Sequence, residues 1–339
     1  MSDEENCQIT QLDSSYIGDY EPVTVDENYD IEKVSVNVTV QVLDILQLKE
    51  IEGLFTVSFK LLMTWYDPRI VYTNLKLDRN LNKLTRVEKE TIWKPVVVFD
   101  NTKSKLITQT DERTLAMINR KGEFSQSPST EPEETYFFEG SENPITYTRI
   151  YDIPFICKYN MAWYPFDIQL CTMDLKPDGN TGEYVDLWKE SFEYKGRKDL
   201  SVYFIKDSRF EEVKFDKINT VKGKEILCLN CPKIKIENNH LVVEIWLGRR
   251  LLSVITTVYT PTVLLNVIGH ITHYFKPFFF ESALAVNLTV MLVLTSMLIS
   301  VVESLPQTAY IKMVEIWLIF NLLLPFTDVI LHTTIDCLR

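Results

Sequence analysis

The 339-residue chain predicts an N-terminal all-β sandwich followed by an all-α transmembrane domain. Three observations carry that reading. Short runs with period-two alternation, such as "VSVNVTVQVLDI", "LFTVSFKLLMTWY" and "HLVVEIWL", fill the stretch from about Val34 to Glu244. No long amphipathic helical pattern interrupts them, and strands without helical crossovers favour an antiparallel sandwich. From Leu251 onward the chain is almost continuously apolar.

Taken in order, residues 1–33 read as an acidic lead-in, 34–248 as the sandwich and 249–339 as the membrane domain. The opening "MSDEENC" lacks a basic-then-apolar leader, so an exported form is expected to have lost its signal peptide. Residues 123–146 hold "SQSPSTEPEE" and "GSENP", which predict a long exposed loop. The net charge of −12 lies mainly in the first part, which argues against nucleic acid and favours attraction of cations.

Spans are expected at about 251–273, 282–303 and 309–334, with no fourth before Arg339. At ~1.5 Å per residue each covers roughly a 30 Å bilayer core. Any one of them alone could be a soluble core helix. Three in a row, joined by short polar links, predict a membrane domain whose two ends lie on opposite sides. The third carries Glu315 and Asp328.

In the second span, Ser282, Thr289, Ser296 and Glu303 fall at seven-residue steps, with Ala285, Leu292 and Ile299 beside them. Both rows share one helical face. Such a face either packs tightly against neighbours or lines water. Glu281 and Glu303 at its two ends favour water. One helix cannot enclose a pore, so several copies must.

Cys157 and Cys171 bracket thirteen residues around "YPFD". Together with "WYDPRIVY" (65–72), "IWKP" (92–95), "GRR" before the first span, Pro261 within it and "SLPQTAYIKMVEIW" (304–317), this loop resembles the Cys-loop family of pentameric ligand-gated ion channels. The resemblance runs from about residue 34 to 335. It implies a Cys157–Cys171 disulfide and an extracellular sandwich. Closing about fifteen residues stabilises by roughly 3 kcal/mol in the chain-entropy model, and a disulfide fits an oxidising compartment. A zinc knuckle would want more Cys or His than a chain with four His offers. Trp163, Tyr164 and Phe166 suit a loop tip resting on the membrane-facing domain. The resemblance further implies that Glu50, Asp167 and Arg249 lie together as a gating contact, with Pro306 in the same coupling region. It also implies a pore lined by Glu281, Ala285, Thr289, Leu292, Ser296, Ile299 and Glu303.

The agonist site departs from the family pattern. Phe99 retains an aromatic, but Asp178 and Lys60 stand where aromatics are usual, and the hairpin "KEILCLNCPKIKIENN" has no Tyr, Phe or Trp. Tyr184 and Trp188 are the remaining aromatic candidates. The candidate ligand set is therefore Phe99, Lys60, Asp178, Tyr184, Cys228 and Cys231. Acetylcholine-receptor subunits that bind ligand carry two adjacent cysteines near this place; here two residues separate Cys228 from Cys231. They form either a local disulfide or a redox or metal CxxC, and no second Cys or His pair accompanies the latter. Cys7 and Cys337 stay unassigned. Asn37-Val-Thr is the plausible glycosylation site, since Asn287-Leu-Thr lies within a span.

The expected function is a homo- or hetero-pentameric, cation-selective ligand-gated channel subunit in the plasma membrane, opened by an unknown small molecule. Membrane lipid and permeant ions are its other partners. "FFFESA" before the second span, in place of a Pro-Ala-Arg-like entrance, is the basis for cation selectivity. The alternatives are an anion channel of the same family and a non-conducting receptor or accessory subunit. No cofactor and no enzymatic motif is expected.

Overall fold

The computed structural model describes residues 9–12, 15–18, 20–25, 31–123, 125–126, 136–178, 184–214, 239–275 and 277–338. Its early strands are β1 (Thr10–Leu12), β2 (Thr24–Val25), β3 (Ile31–Glu32), β4 (Val34–Lys49), β5 (Leu54–Trp65) and β6 (Ile70–Thr73). There follow β7 (Val97–Phe99), β8 (Leu106–Ile107), β9 (Leu115–Ile118), β10 (Ser125–Gln126) and β11 (Tyr136–Glu139). The last are β12 (Ile145–Ile156), β13 (Ile168–Pro177), β14 (Val185–Tyr194), β15 (Tyr203–Lys214) and β16 (Asn239–Arg249).

One five-stranded sheet has the order β14-β4-β5-β12-β9 and the other β15-β16-β13-β7-β8. Alternation along each strand builds the core between them. Val36, Val38, Val40 and Val42 of β4 are fully buried, as are Phe55, Val57 and Phe59 of β5 and Leu241, Val243, Ile245 and Leu247 of β16. Residues between them on β5, such as Lys60 and Leu62, stand half-buried on the outer face.

Two sequence expectations need correction. Residues 1–33 are more than a lead-in, because β1 pairs with β6 in a four-stranded sheet, β1-β6-β11-β10. Glu88 fastens that strand. It closes a capping box on Thr85 at the start of α1 (Arg86–Thr91) and accepts the N–H groups of Ile9 and Thr10 at 2.6 and 2.8 Å. Residues 123–146 are likewise more than an exposed loop. The aromatic run Tyr136-Phe137-Phe138 forms β11 against β6, and Phe138 is buried.

Three long helices follow: α2 (Leu251–Tyr274), α3 (Phe280–Ser304) and α4 (Met313–Cys337). They contain 24, 25 and 25 residues and are each long and apolar enough to cross a membrane. The third begins at Met313, four residues later than 309, because residues 305–312 leave the helix and turn back to the sandwich. Pro261 has no amide proton, and the turn before it widens to π geometry over Ile255–Tyr259, where the Thr260 N–H reaches the Ile255 carbonyl. Polar side chains on the three helices contact one another, although the side-chain oxygens of Asn266 and Asn287 are buried without a partner. His273 Nε2 lies 2.9 Å from Asp328 Oδ1, and Asn287 Nδ2 donates to Thr272 Oγ1 at 2.9 Å.

Candidate functional site

A densely bonded polar cluster lies where the sandwich meets the helices. Arg249 ends β16, Asp167 precedes β13, and Glu50 sits in the turn between β4 and β5. Arg249 is 6% exposed and Asp167 5% exposed, so the charges sit largely out of water. The guanidinium grips Asp167 from the side, with Nε donating to Oδ1 at 2.8 Å and Nη2 to Oδ2 at 3.1 Å. Nη1 donates to Glu50 Oε1 at 2.9 Å. The three residues named for coupling are therefore in direct contact. Burial acts to lower the Arg249 pKa, but the hydrogen bonds to Asp167 and Glu50 outweigh it and hold the side chain firmly charged.

Other residues complete the cluster. Tyr203 and Tyr164 both lie against the guanidinium, with ring centres 4.6 and 4.5 Å from its carbon. The Tyr203 hydroxyl donates to Glu50 Oε1 at 2.7 Å and accepts from Arg249 Nη2. Gln169 donates to Asp167 and to the Asn160 carbonyl, and accepts the Asn160 N–H at 2.8 Å. Sequence reasoning missed Tyr203 and Gln169. Strand register reveals Tyr203, which is opposite Arg249 between β15 and β16, while Gln169 follows Asp167 by two residues at the start of β13.

The Cys157–Cys171 disulfide closes the loop that carries Asp167. From this loop the connection continues into the membrane domain. The Met161 N–H donates to the Tyr310 hydroxyl at 2.9 Å, and the Met313 N–H donates to the Ala162 carbonyl at 3.0 Å. Tyr164 also packs on an apolar cluster of Val258, Leu305, Val314 and Leu318 at the same end of the helices. Trp163 and Phe166 are 68% and 52% exposed at the loop tip. Pro306 is half-buried in the α3–α4 connection, beside buried Leu305 and outside the Arg249 cluster.

On α3, the buried residues Ala283, Asn287, Val290 and Leu294 face the other two helices. Glu281, Ala285, Thr289, Leu292, Ser296, Ile299 and Glu303 all lie on the exposed face, Leu292 at 71%. The seven residues named for the pore thus share one free face of a single chain.

The agonist candidates are scattered within one chain. Phe99 is wholly buried, packed by Phe59, Tyr151 and Phe155. This corrects its assignment to a ligand site: its place on β7 turns the ring into the core between the sheets. Asp178 lies beside β7, its N–H bonded to the Val96 carbonyl at 3.1 Å. Lys60 stands on the outer face of the opposite sheet, and Tyr184 lies at that sheet's edge, its carbonyl accepting the Val34 N–H. Trp188 is on β14 in the same sheet. Cys228 and Cys231 lie outside the described residues, as does Cys7, and Cys337 is exposed. Asn37 is half-buried near the start of β4, between β14 and β5.

A β-sandwich seated through a buried charge cluster on three membrane-spanning helices is the plan of a ligand-gated channel subunit. The family model "Neurotransmitter-gated ion-channel ligand binding domain" matches residues 6–136. The chain is 22% identical over 306 residues to the gamma-aminobutyric acid receptor subunit theta of Mus musculus, covering 90% of this chain and 42% of that protein. It is 19% identical over 338 residues to the gamma-aminobutyric acid receptor subunit beta-like of Drosophila melanogaster (97% of this chain, 61% of the relative). It is also 22% identical over 287 residues to the glutamate-gated chloride channel of Drosophila melanogaster (83% and 54%). The chain spans about half the length of these relatives.

The matched domain and these relatives indicate a protein similar to the Cys-loop family of ligand-gated ion channels. Its sandwich and helices fit a multi-pass plasma-membrane subunit with an extracellular ligand-binding domain. The relatives are receptor subunits and a channel, not enzymes. Cation selectivity, however, finds no support among them, and one is a chloride channel by name. The "FFFESA" entrance is a feature of one helix in one chain. Selectivity depends on which groups ring the narrowest point in an assembly, and residue type on one helix does not fix that.

Proposed function

We propose that the chain is a subunit of a pentameric ligand-gated channel, anion-selective, whose sandwich drives a pore lined by α3. The observation that carries the channel reading is the continuous contact from Arg249 through Asp167 and the disulfide loop to Tyr310 in the α3–α4 connection. The chloride channel among the relatives supports the anion reading. Five copies of α3, exposed faces inward, would enclose water, with a ring of Leu292 expelling it in the closed state.

The agonist best supported is a small molecule carrying a carboxylate. Two relatives are named for gamma-aminobutyric acid and one for glutamate. Lys60, opposite Gln41 and Ile150 on the outer face of the sheet, offers a cation to such a group. Phe99 leaves no aromatic cage on its strand. The agonist would bind between neighbouring copies, bringing Asp178 of one subunit near Lys60 of the next.

A cation channel is the second reading, favoured by Glu281 and Glu303 at the two ends of the exposed face. Voltage-clamp recording of the full-length protein in chloride and sodium gradients decides between them. Currents that reverse at the chloride potential support the first reading; reversal at the sodium potential supports the second. A surface-expressed protein that never conducts points to an accessory subunit.

A further inference from the structure

We infer that Tyr203 is a positioning residue for the coupling arginine. Through it, the turn at 198–205 sets where Arg249 stands, alongside the disulfide loop. The inference rests on the reading of Arg249 as the coupling residue.

The first support is complete use of the hydroxyl. It donates to Glu50 Oε1 at 2.7 Å and accepts from Arg249 Nη2, while its ring lies 4.6 Å from the guanidinium carbon. Tyr203 is fully buried and Arg249 nearly so, which leaves water little room to replace the bond between them if the oxygen is removed. Glu50 Oε1 accepts from both Arg249 Nη1 and Tyr203. The cluster holds one cation and two carboxylates, and the tyrosine proton is the neutral donor that helps to satisfy the second carboxylate.

The second support is the anchorage of the turn. Leu200 N–H bonds to the Tyr203 carbonyl at 2.9 Å and Ile205 N–H to the Lys198 carbonyl at 2.8 Å, which closes a tight hairpin. That hairpin is fastened to the next residue of the coupling strand by two further bonds. Arg250 N–H donates to the Val202 carbonyl at 2.8 Å, and Arg250 Nη2 meets Asp199 Oδ1 at 2.8 Å. Gly248 adds a packing reason. A Cβ there would lie 2.5 Å from the Phe204 ring, so the glycine lets that ring cross β16 directly before Arg249. Movement of the 198–205 hairpin therefore carries the Tyr203 hydroxyl with it and redirects Arg249 between its two carboxylates.

The test uses the full chain with Tyr203→Phe, Glu50→Ala and both together. In thermal unfolding of the detergent-solubilised protein, the double variant should lose clearly less than the sum of the single losses. Additive losses would overturn the inference. In voltage clamp, with gamma-aminobutyrate and glutamate as probes, Tyr203→Phe should raise the half-activating concentration about tenfold at unchanged surface number, the effect of one lost coupling of ~1.4 kcal/mol. A merely structural tyrosine would lower surface number and leave the half-activating concentration in place, which also overturns it. If neither probe opens the wild type, spontaneous current per surface subunit in a Leu292→Ser background replaces that readout, with loss expected and no change contrary. Should nothing conduct, the channel reading has failed, and the unfolding cycle alone still decides whether the hydroxyl couples Glu50 to Arg249.

Discussion

The hydroxyl of Tyr310, in the connection between α3 and α4, accepts the backbone N–H of Met161 in the disulfide loop at 2.9 Å. Met161 is fully buried, so this amide has no water to turn to. Tyr310→Phe should cost roughly 1–3 kcal/mol, the penalty for a buried unpaired donor. A lower unfolding temperature of the solubilised protein and weaker agonist currents are the expected results. Unchanged values for both would mean that the loop and the helices do not act as one unit.

Arg249→Ala leaves Asp167 and Glu50 facing each other with their shared cation gone. Removing one partner of a buried ion pair typically costs about 3–5 kcal/mol. We expect loss of surface expression or of gating, read by surface labelling and by current. Normal currents would remove this contact from the mechanism.

Lys60 and Asp178 stand where aromatics are usual for amine agonists, and Phe99 is buried in the core. The wild-type protein should therefore not respond to acetylcholine, serotonin or nicotine at ordinary concentrations. Robust currents to any of them would show that the positional match to amine-binding subunits is shifted. Screening carboxylate-bearing agonists against Lys60→Ala is the companion measurement, and a loss of sensitivity is expected there.

Leu292 is the large apolar residue in the middle of the exposed face of α3, between Thr289 and Ser296. Leu292→Ser should let a closed ring wet, giving leak current or easier opening. Glu281→Lys should change charge selectivity, seen as a displaced reversal potential. Glu303 should matter less if it lies at a wider mouth, since salt screens exposed charges beyond about 8 Å. A tight closed state in Leu292→Ser would count against the α3 face as the pore.

Tyr16 ties the N-terminal segment to the sandwich. Its hydroxyl accepts the Trp93 N–H at 2.8 Å, and the Arg69 guanidinium carbon lies 4.7 Å from its ring centre. Burial, chiefly, pushes its pKa up to about 12 from 10.0. The stabilisation carried by the neutral phenol is complete below pH 10 and is lost as pH rises through about 12. Tyr16→Phe should flatten the part of the alkaline stability loss that falls between those values. An unfolding curve against pH that is unaltered by the substitution would contradict this linkage.

The disulfide loop was legible in the sequence because its signal is a short spacing around "YPFD". The contact of Arg249 with Glu50 and Asp167 was legible only through resemblance, since 199 residues separate Arg249 from Glu50. Tyr203 carried no local signal, and Tyr310 lay in "SLPQTAYIKMVEIW" with nothing there to mark its hydroxyl. Their roles come from a strand register and from a loop meeting another domain. Phe99 misled for the opposite reason: an aromatic retained at a family position says nothing about which face of a three-residue strand it occupies.

By itself, the sequence determined the β-rich half, the three apolar spans and the stripe on the second. Alternation, run length and helical period are properties of neighbouring residues, and burial of apolar surface enforces them wherever the chain folds. Tertiary structure alone decided that residues 9–12 join a sheet, that Phe99 belongs to the core and that two tyrosines flank Arg249. Those outcomes depend on the register between distant strands. A shift of one residue there would turn Tyr203 to the other face and leave a buried guanidinium and a carboxylate without their shared hydroxyl.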